Sequence, residues 1–220
     1  VKLRQFSESS NTLIYLEKNS RTRLIPSAIN ENTMEYHLND YDLTIQFHPN
    51  NFSQINHDIN QKMIGKSIEL LDLKPTDSVL DLFCGIGNFS LPIAQFAKNV
   101  TGVEADAESV ISAIHNAKSN HISNAKFITR NLFANRLDLL NQSKFSKILL
   151  DPPRAGAKTI INKIQAWEPE RVIYISCNPA TLARDSLIMK NAGFTLKTAG
   201  IIDMFPHTKH IEAIALFCRH

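Results

Sequence analysis

Three residues whose side chains could act in one reaction, Asp151, Cys177 and Glu212, lie in the last third of the sequence. Methylation of carbon 5 of a pyrimidine needs such a set. That carbon is a poor nucleophile until a thiolate adds to carbon 6, and a base must afterwards remove the carbon 5 proton. A cysteine, a carboxylate and a group that hydrogen-bonds the ring edge meet this need. Taken singly, each residue also has an ordinary interpretation: Asp151 as a helix cap, Cys177 as a core thiol and Glu212 as a surface acid.

A second group of residues has the pattern of a nucleoside-cofactor site. Gly85 and Gly87 lie in the loop DLFCGIGNFS at 81–90, where glycines permit a tight turn and the close approach of a ligand to the backbone. Ser90 stands where a dinucleotide-binding loop has a third glycine or an alanine, which disfavours a pyrophosphate. Glu104 ends the next strand and is placed to accept hydrogen bonds from ribose hydroxyls. This combination predicts S-adenosylmethionine (SAM), and we expect Cys84 in the loop to be a packing residue.

The elements that must position these residues alternate between strand and helix from about residue 77 onward. Short apolar runs predict strands at 78–83, 99–104, 125–129, 147–151, 171–176, 194–203 and 211–217. Helices are predicted at 58–71, 158–166 and 180–192, and a further helix buries Val110, Ala113, Ile114 and Ala117 on one face. The pattern predicts a doubly wound α/β fold with a mostly parallel seven-stranded sheet and an antiparallel C-terminal strand. Ligand sites then lie at the carboxyl ends of the strands.

The first 55 residues lack this alternation. They contain polar loops and strand-like stretches at 13–17 and 43–47, which predict a small β-rich appendage. We therefore expect two units, residues 1–55 and residues 56–220, of which the second carries the chemistry.

Composition limits the class of protein. The chain has 220 residues, a net charge of +3 and three cysteines, too few and too scattered for a disulfide framework. It contains no apolar run of the ~20 residues that cross a bilayer. We expect a cytoplasmic protein without membrane association, and its mildly basic charge is compatible with a polyanionic partner.

Six stretches of the sequence resemble the RNA uracil-C5 (5-methyluridine) methyltransferases, a family that acts on transfer RNA and on 23S ribosomal RNA. They are FSQIN at 52–56, LDLFCGIGNF at 80–89, VE at 103–104, DPPRAG at 151–156, SCNPATLARD at 176–185 and DMFPHTKHIE at 203–212. The resemblance covers the chain from about residue 45 to its end. The last two stretches look most similar to the members that modify 23S ribosomal RNA.

The resemblance implies a class I SAM-dependent methyltransferase fold and a role for each matching residue. Cys177 is implied to be the nucleophile that adds to carbon 6, and Glu212 the base that removes the carbon 5 proton. The residues implied to bind SAM, with S-adenosylhomocysteine as product, are Gln54, Phe83, Asn88, Glu104, Asn131 and Asp151. The implied partner is RNA, with 23S ribosomal RNA preferred over transfer RNA, and the target uridine is expected to be flipped out of its stack. We further expect a monomer.

The chain also departs from the family pattern. Members that modify 23S ribosomal RNA carry an RNA-binding TRAM domain and a four-cysteine iron–sulfur cluster. We expect neither here, because no cysteine precedes Cys84. Residues 1–55 are accordingly interpreted as the remnant of the family's central domain, and the sequence as a catalytic-domain fragment.

Three alternative functions remain open. A noncatalytic SAM- or RNA-binding fragment would leave Cys177 and Glu212 without use. An amino-group methyltransferase is disfavoured because Arg154 follows the two prolines where such enzymes have an aromatic residue. A metal site from His207, His210 and Glu212 has no evident further ligand, so we predict no metal.

Overall fold

The computed structural model describes residues 2–18, 21–25, 34–134, 144–208 and 210–219. Its main feature is a seven-stranded sheet. The strands of this sheet are β5 (Ser78–Leu82), β6 (Asn99–Glu104), β7 (Ala125–Thr129), β8 (Lys147–Leu150), β9 (Arg171–Ser176), β10 (Phe194–Ile202) and β11 (Glu212–Arg219). Their order is β10-β11-β9-β8-β5-β6-β7. β5 to β9 are parallel, and β11 pairs antiparallel with both β9 and β10. The predicted α/β fold with an antiparallel C-terminal strand is confirmed.

Helices cover both faces of this sheet, as the doubly wound pattern requires. They are α2 (His57–Leu71), α3 (Ser90–Ala94), α4 (Ala107–Ser119), α5 (Lys158–Trp167) and α6 (Pro179–Asn191). Alternate strand residues belong to two separate buried clusters. Leu80, Ile148 and Val172 pack with α5 and α6. Their neighbours Val79, Leu149 and Ile173 pack with α2, α3 and α4. The side-chain period of two along each strand therefore divides the core into two layers.

One predicted core position is wrong. Val110, Ala113 and Ala117 of α4 are buried, but Ile114 is 51% exposed. The buried face of α4 is completed instead by Ser109 and Asn116, two polar residues. Periodicity of apolar residues could not identify this face, because its polar members are buried through specific hydrogen bonds.

The N-terminal part contains a helix that the sequence pattern did not predict. Residues Lys2–Ser10 form α1, which exposes most of its side chains. Two hairpins follow. β1 (Tyr15–Lys18) pairs with β2 (Arg21–Leu24), and β3 (Met34–Leu38) pairs with β4 (Leu43–Phe47). The predicted strands at 13–17 and 43–47 therefore correspond to β1 and β4. Residue 55 lies in the loop between β4 and α2, and the division of the chain at this point stays a proposal.

Asn116 of α4 and Asn120, the residue that caps the C-terminus of this helix, attach the β3–β4 hairpin to the main sheet domain. Asn120 accepts a hydrogen bond from the Thr44 backbone N–H at 2.8 Å and donates to the Thr44 carbonyl at 2.7 Å. Asn116 does the same with the N–H and carbonyl of Gln46, at 2.9 Å in both directions. The two amides thus bind the free edge of β4 as a neighbouring strand would. Asn116 also donates to the Ile86 carbonyl at 3.1 Å, which links the hairpin to the glycine loop.

Among the residues described, no helix is long and apolar enough to span a membrane.

Candidate active site

The candidate site lies where the chain order of the parallel strands reverses, between β5 and β8. β6 and β7 continue the sheet on one side of β5, while β8 and β9 continue it on the other. Asp151, the first residue after β8, donates its backbone N–H to the Leu82 carbonyl at 3.3 Å. Phe83, the first residue after β5, donates its own N–H to the Val103 carbonyl at 2.9 Å. A crevice at the carboxyl ends of such strands is where open α/β sheets bind ligands.

The glycine loop turns sharply at this edge. Gly85 and Gly87 have φ angles of +52° and +92°, which glycine adopts without a steric penalty. Phe83 has a φ of +66°, a conformation that a bulky residue adopts rarely and that is concentrated at binding sites. Nothing lies within 4 Å of the position that a Cβ of Gly85 would occupy. The loop therefore presents its backbone to open space at the edge of the crevice.

Glu104 holds this loop from the neighbouring strand. One carboxylate oxygen accepts the Gly85 N–H at 3.1 Å, and the other accepts the N–H groups of Ala105 and Asp106 at 2.6 and 3.0 Å. A carboxylate has about four acceptor sites, so capacity remains for a ligand hydroxyl. Glu104 thus fixes the loop, and its contact with a ribose stays a prediction.

Gly102 on β6 allows the loop to pack closely. A Cβ at this position would lie 2.6 Å from the Phe127 ring and 2.8 Å from the Cys84 sulfur. Cys84 is buried, and burial with the nearby carboxylates Asp81 and Glu104 raises the pKa of its thiol well above the usual value. Its surroundings fit the predicted packing role and not that of a nucleophile.

Asn88, one of the predicted cofactor residues, forms hydrogen bonds with two residues that are distant in the sequence. Its side-chain oxygen accepts hydrogen bonds from the Tyr36 hydroxyl at 2.8 Å and from the Asn60 amide at 2.9 Å. It donates back to the Asn60 oxygen at 2.9 Å. The amide therefore joins the glycine loop to β3 and α2, and neither partner could be predicted from the sequence pattern.

The remaining predicted cofactor residues, Asn131 and Gln54, lie in loops. Asn131 follows β7, is exposed, and accepts the Phe133 N–H at 2.9 Å. The Phe133 ring lies 5.7 Å from the Phe83 ring at a tilt of 50°. Gln54 is half-buried in the loop between β4 and α2.

Several carboxyl groups lie close together along the crevice. Asp81 on β5 is completely buried; one of its oxygens accepts the Ser90 hydroxyl at 2.5 Å, and the other has no partner among the described residues. Burial raises the pKa of Asp81 to about 7, an effect that Glu104 increases. Burial raises the pKa of Asp151 to about 8, with further contributions from Glu212 and Asp81. At neutral pH Asp151 is therefore largely protonated and can donate a hydrogen bond.

Cys177 and Glu212 are brought to this edge by the antiparallel strand. Ala213 on β11 pairs with Ser176 on β9, so each of the two residues lies one position beyond the same pair. Glu212 is 7% exposed, and burial raises its pKa. Burial also raises the pKa of the half-buried Cys177 thiol, followed by the charges of Glu212 and Asp151. The structure thus brings Asp151, Cys177 and Glu212 together.

Arg154 is the cation that acts on Cys177, and it lowers the pKa of this thiol. In the sequence, Arg154 was evidence only against an amino-group methyltransferase, and no residue was predicted to stabilise the thiolate. Its position directly after the two prolines of DPPRAG was the available signal.

The metal site considered for His207, His210 and Glu212 finds no support in the structure. Across the described ranges, no group of three or more His, Cys, Asp or Glu side chains is arranged to hold a metal ion. Phe205 instead lies beside His210, with ring centroids 6.0 Å apart.

Comparison with known proteins finds similar sequences and a similar solved structure. The model of the tRNA (uracil-5-)-methyltransferase family matches residues 3–220. The 23S rRNA (uracil(1939)-C(5))-methyltransferase RlmD of Legionella pneumophila (strain Corby) is 47% identical over 223 residues, which cover 99% of this chain and 50% of that protein. RlmD of Francisella tularensis subsp. novicida (strain U112) is 45% identical over 98% of this chain and 49% of that protein.

A solved structure is similar as well. The Pyrococcus abyssi tRNA (uracil-54, C5)-methyltransferase in complex with S-adenosyl-L-homocysteine superposes with a TM-score of 0.78 and 26% identity, over 93% of this chain and 50% of that one. The chain spans about half the length of the curated relatives it matches. Since the family model matches nearly the whole sequence, the chain belongs to the tRNA (uracil-5-)-methyltransferase family.

Proposed function

We propose that this chain transfers a methyl group from SAM to carbon 5 of a uridine in RNA, through a covalent bond between Cys177 and carbon 6. The observation that carries the proposal is the convergence of Cys177, Glu212 and Asp151 at one sheet edge, beside the glycine loop. Family membership and the similarity to RlmD proteins support 23S ribosomal RNA as the substrate. The similar Pyrococcus abyssi protein is a tRNA (uracil-54, C5)-methyltransferase, so a transfer RNA uridine is the second candidate.

The residues of the crevice fit SAM. This cofactor carries positive charge on its sulfonium and its ammonium, and the crevice has an excess of carboxyl groups whose raised pKa values reflect mutual repulsion and burial. One oxygen of the buried Asp81 has no hydrogen-bond donor among the described residues, so it is available to a cationic or donor group of a ligand. We propose that Gln54, Phe83, Asn88, Glu104, Asn131 and Asp151 surround the cofactor, which supplies the methyl group as an electrophile. Glu104 would bind the ribose hydroxyls.

Exposed apolar side chains next to Gln54 support an RNA substrate. Phe52 and Ile55 are 72% and 71% exposed. Ile55 also lines a cavity of about 390 Å³ with Phe205 and Pro206, between the start of α2 and the turn that precedes Glu212. Unstacked bases of single-stranded RNA bind to such aromatic and apolar surfaces. These side chains are therefore suited to hold nucleotides near a flipped uridine.

Three side chains of the chain each act in a different step of the proposed reaction. The Cys177 thiolate adds to carbon 6, and the electron pair of the ring double bond moves to carbon 5 and its adjacent carbonyl. The protonated Asp151 donates a hydrogen bond to the ring edge and stabilises this enolate. After carbon 5 has taken the methyl group, Glu212 removes its proton. The electron pair re-forms the double bond, and Cys177 leaves as thiolate.

The experiment that tests this function uses SAM and a short RNA in which the target uridine is 5-fluorouridine. The fluorine replaces the proton that Glu212 would remove, so the covalent complex cannot resolve. We expect a protein–RNA adduct that resists denaturation, and we expect Cys177→Ala to abolish it. Cys218→Ala is the matched control, because this second half-buried cysteine lies at the far end of β11. An adduct that survives Cys177→Ala, or methyl transfer to a base nitrogen, would refute the mechanism.

A further inference from the structure

The buried carboxylate of Asp185, on α6, has no part in the reaction described above. Asp185 is 0% exposed. One of its oxygens accepts the Tyr174 hydroxyl at 2.7 Å and the Ala157 backbone N–H at 2.8 Å. The other oxygen accepts two N–H groups of Arg184, at 2.8 and 2.7 Å. A buried charge with this complete set of donors is held in one position, and any group bound to it is held as well.

The group held in this way is the loop at 151–157, which contains Asp151 and Arg154. Asp185 binds the loop at the Ala157 N–H, and Arg184 donates a second hydrogen bond to the Ala155 carbonyl at 2.9 Å. Gly156 fits between these contacts with a φ of +80°. A Cβ there would lie 2.5 Å from the Asp185 carboxylate and 2.6 Å from the Arg184 guanidinium. The loop is therefore packed against the Asp185–Arg184 pair without intervening space.

The same loop is attached to the residue next to Cys177. Asn178 caps α6 through its side-chain oxygen, which accepts the Ala180 and Thr181 N–H groups at 3.1 and 3.4 Å. Its amide nitrogen donates to the Arg154 carbonyl at 3.4 Å. Two attachments, one at Asn178 and one at the Asp185–Arg184 pair, thus place Arg154 against the loop that carries Cys177.

We propose that the Asp185–Arg184 pair is a positioning device for the nucleophile: it docks the 151–157 loop on α6 so that the Arg154 guanidinium faces the Cys177 sulfur. The inference rests on the proposed function only in giving Cys177 the role of nucleophile. The charged groups that face Cys177 are Glu212 from β11, and Asp151 and Arg154 from the loop after β8. Since Glu212 and Asp151 raise the pKa of the Cys177 thiol and Arg154 lowers it, the cation must be kept in place for the thiol to ionise.

The test measures the thiol itself and needs neither SAM nor RNA, so it is separate from the test of methyl transfer. The rate of Cys177 alkylation by iodoacetamide is followed against pH by mass spectrometry, in the 220-residue chain. Arg154→Gln removes the cation, and we expect the titration to move to higher pH and the rate at pH 7.5 to fall roughly three- to tenfold. Arg184→Gln should change the rate in the same direction by a smaller factor. Its side chain is 45% exposed, so the protein should stay folded.

The double variant distinguishes positioning from general loosening. If Arg184 acts through Arg154, Arg154→Gln with Arg184→Gln should react as slowly as Arg154→Gln alone. A fall equal to the product of the two single effects would overturn the proposal, as would an Arg184→Gln titration identical to that of the unchanged chain. Lys190→Gln is the matched control, because it removes one charge from the last turn of the same helix. Asp185→Asn should reproduce the effect of Arg184→Gln, and thermal unfolding checks that this variant is folded. A Cys177 titration that does not shift in Asp185→Asn would also contradict the proposal.

Discussion

Cys177 and Glu212 lie directly beyond the Ser176–Ala213 pair of two antiparallel strands, so the backbone register of β9 and β11 sets their separation. Residues opposite each other in such a pair have Cβ atoms about 4.5–5.5 Å apart. The effect of Glu212 on the pKa of Cys177 agrees with this proximity. Glu212 is thereby fixed by the hydrogen bonds of the sheet, and Cys177 directly follows the last paired residue of β9.

Glu212→Gln should separate the two halves of the proposed reaction. The amide cannot take the carbon 5 proton, so the bond between Cys177 and the methylated uridine should persist with ordinary RNA. Turnover should fall by about 10²- to 10⁴-fold, the usual contribution of a general base. SDS gel electrophoresis with labelled RNA detects the adduct, and Glu69→Gln, on the exposed face of α2, should behave as the unchanged chain. Full turnover in Glu212→Gln would exclude Glu212 as the base.

Asp151→Asn should stabilise the protein at alkaline pH. Burial raises the pKa of Asp151 in the folded state from the ordinary value of 3.8 to about 8, so protonation of this group favours the folded state. That stability is fully present below about pH 4 and is lost as the pH rises through 8. Asp151→Asn has no such loss. Its free energy of unfolding should exceed that of the unchanged chain by on the order of 1–3 kcal/mol at pH 8.5, and by little at pH 4. Urea unfolding at both pH values measures the difference, with the exposed Asp40→Asn as control. An equal gain in the free energy of unfolding at both pH values would contradict the raised pKa of Asp151.

Glu104→Gln should weaken SAM binding. The amide retains one acceptor oxygen, so either the Gly85 N–H or the N–H groups of Ala105 and Asp106 lose their partner. Loss of a charged acceptor costs about 1.5–3 kcal/mol, which corresponds to roughly a 10- to 150-fold higher Kd. Isothermal titration calorimetry with SAM measures it. Glu108→Gln, in the first turn of α4, is the control. Equal affinity in the two variants would show that Glu104 does not contact the cofactor or its loop.

Gly102→Ala should disturb the packing of the glycine loop against β6. The added methyl group would meet Phe127 and Cys84 at distances below 3 Å, so the ring or the loop must shift. We expect a loss of about 1–3 kcal/mol in the free energy of unfolding, together with weaker SAM binding. Gly200→Ala on β10 is the matched control, since its new methyl group would lie 3.8 Å from Ile214. Similar melting temperatures for the two variants would show that the contact at Gly102 relaxes freely.

The sheet could be predicted well from the sequence because its strands are short, apolar and separated by regular helices. All seven strands of the main sheet were expected near their observed positions. The helix at Lys2–Ser10 was missed, since its residues are mostly polar and exposed and its first turn has no acidic residue. Local pattern carries information only where burial imposes a period.

The partners of the site residues could not be predicted in the same way. Asn88 pairs with Tyr36, 52 positions away, and Asp185 binds Tyr174 and Ala157 across two other elements. Such contacts depend on how elements pack, and a single sequence contains no periodic signal for them. Nor did residue types reveal that Asp151 would be protonated, because the pKa shift results from burial beside two other carboxyl groups.

The attachment of β4 to α4 depends on a match between two different repeats. Asn116 and Asn120 are four helical residues apart, a rise of about 6 Å. Thr44 and Gln46 are two strand residues apart, about 6.6 Å. Because the spacings agree, two consecutive turns of a helix can substitute for a strand. A one-residue slip of the hairpin would offer the amides residues whose backbone groups point to the opposite side, so the register of the hairpin is set by the helix. The paired edge is also closed to strands of other molecules, which protects this part of the chain from aggregation.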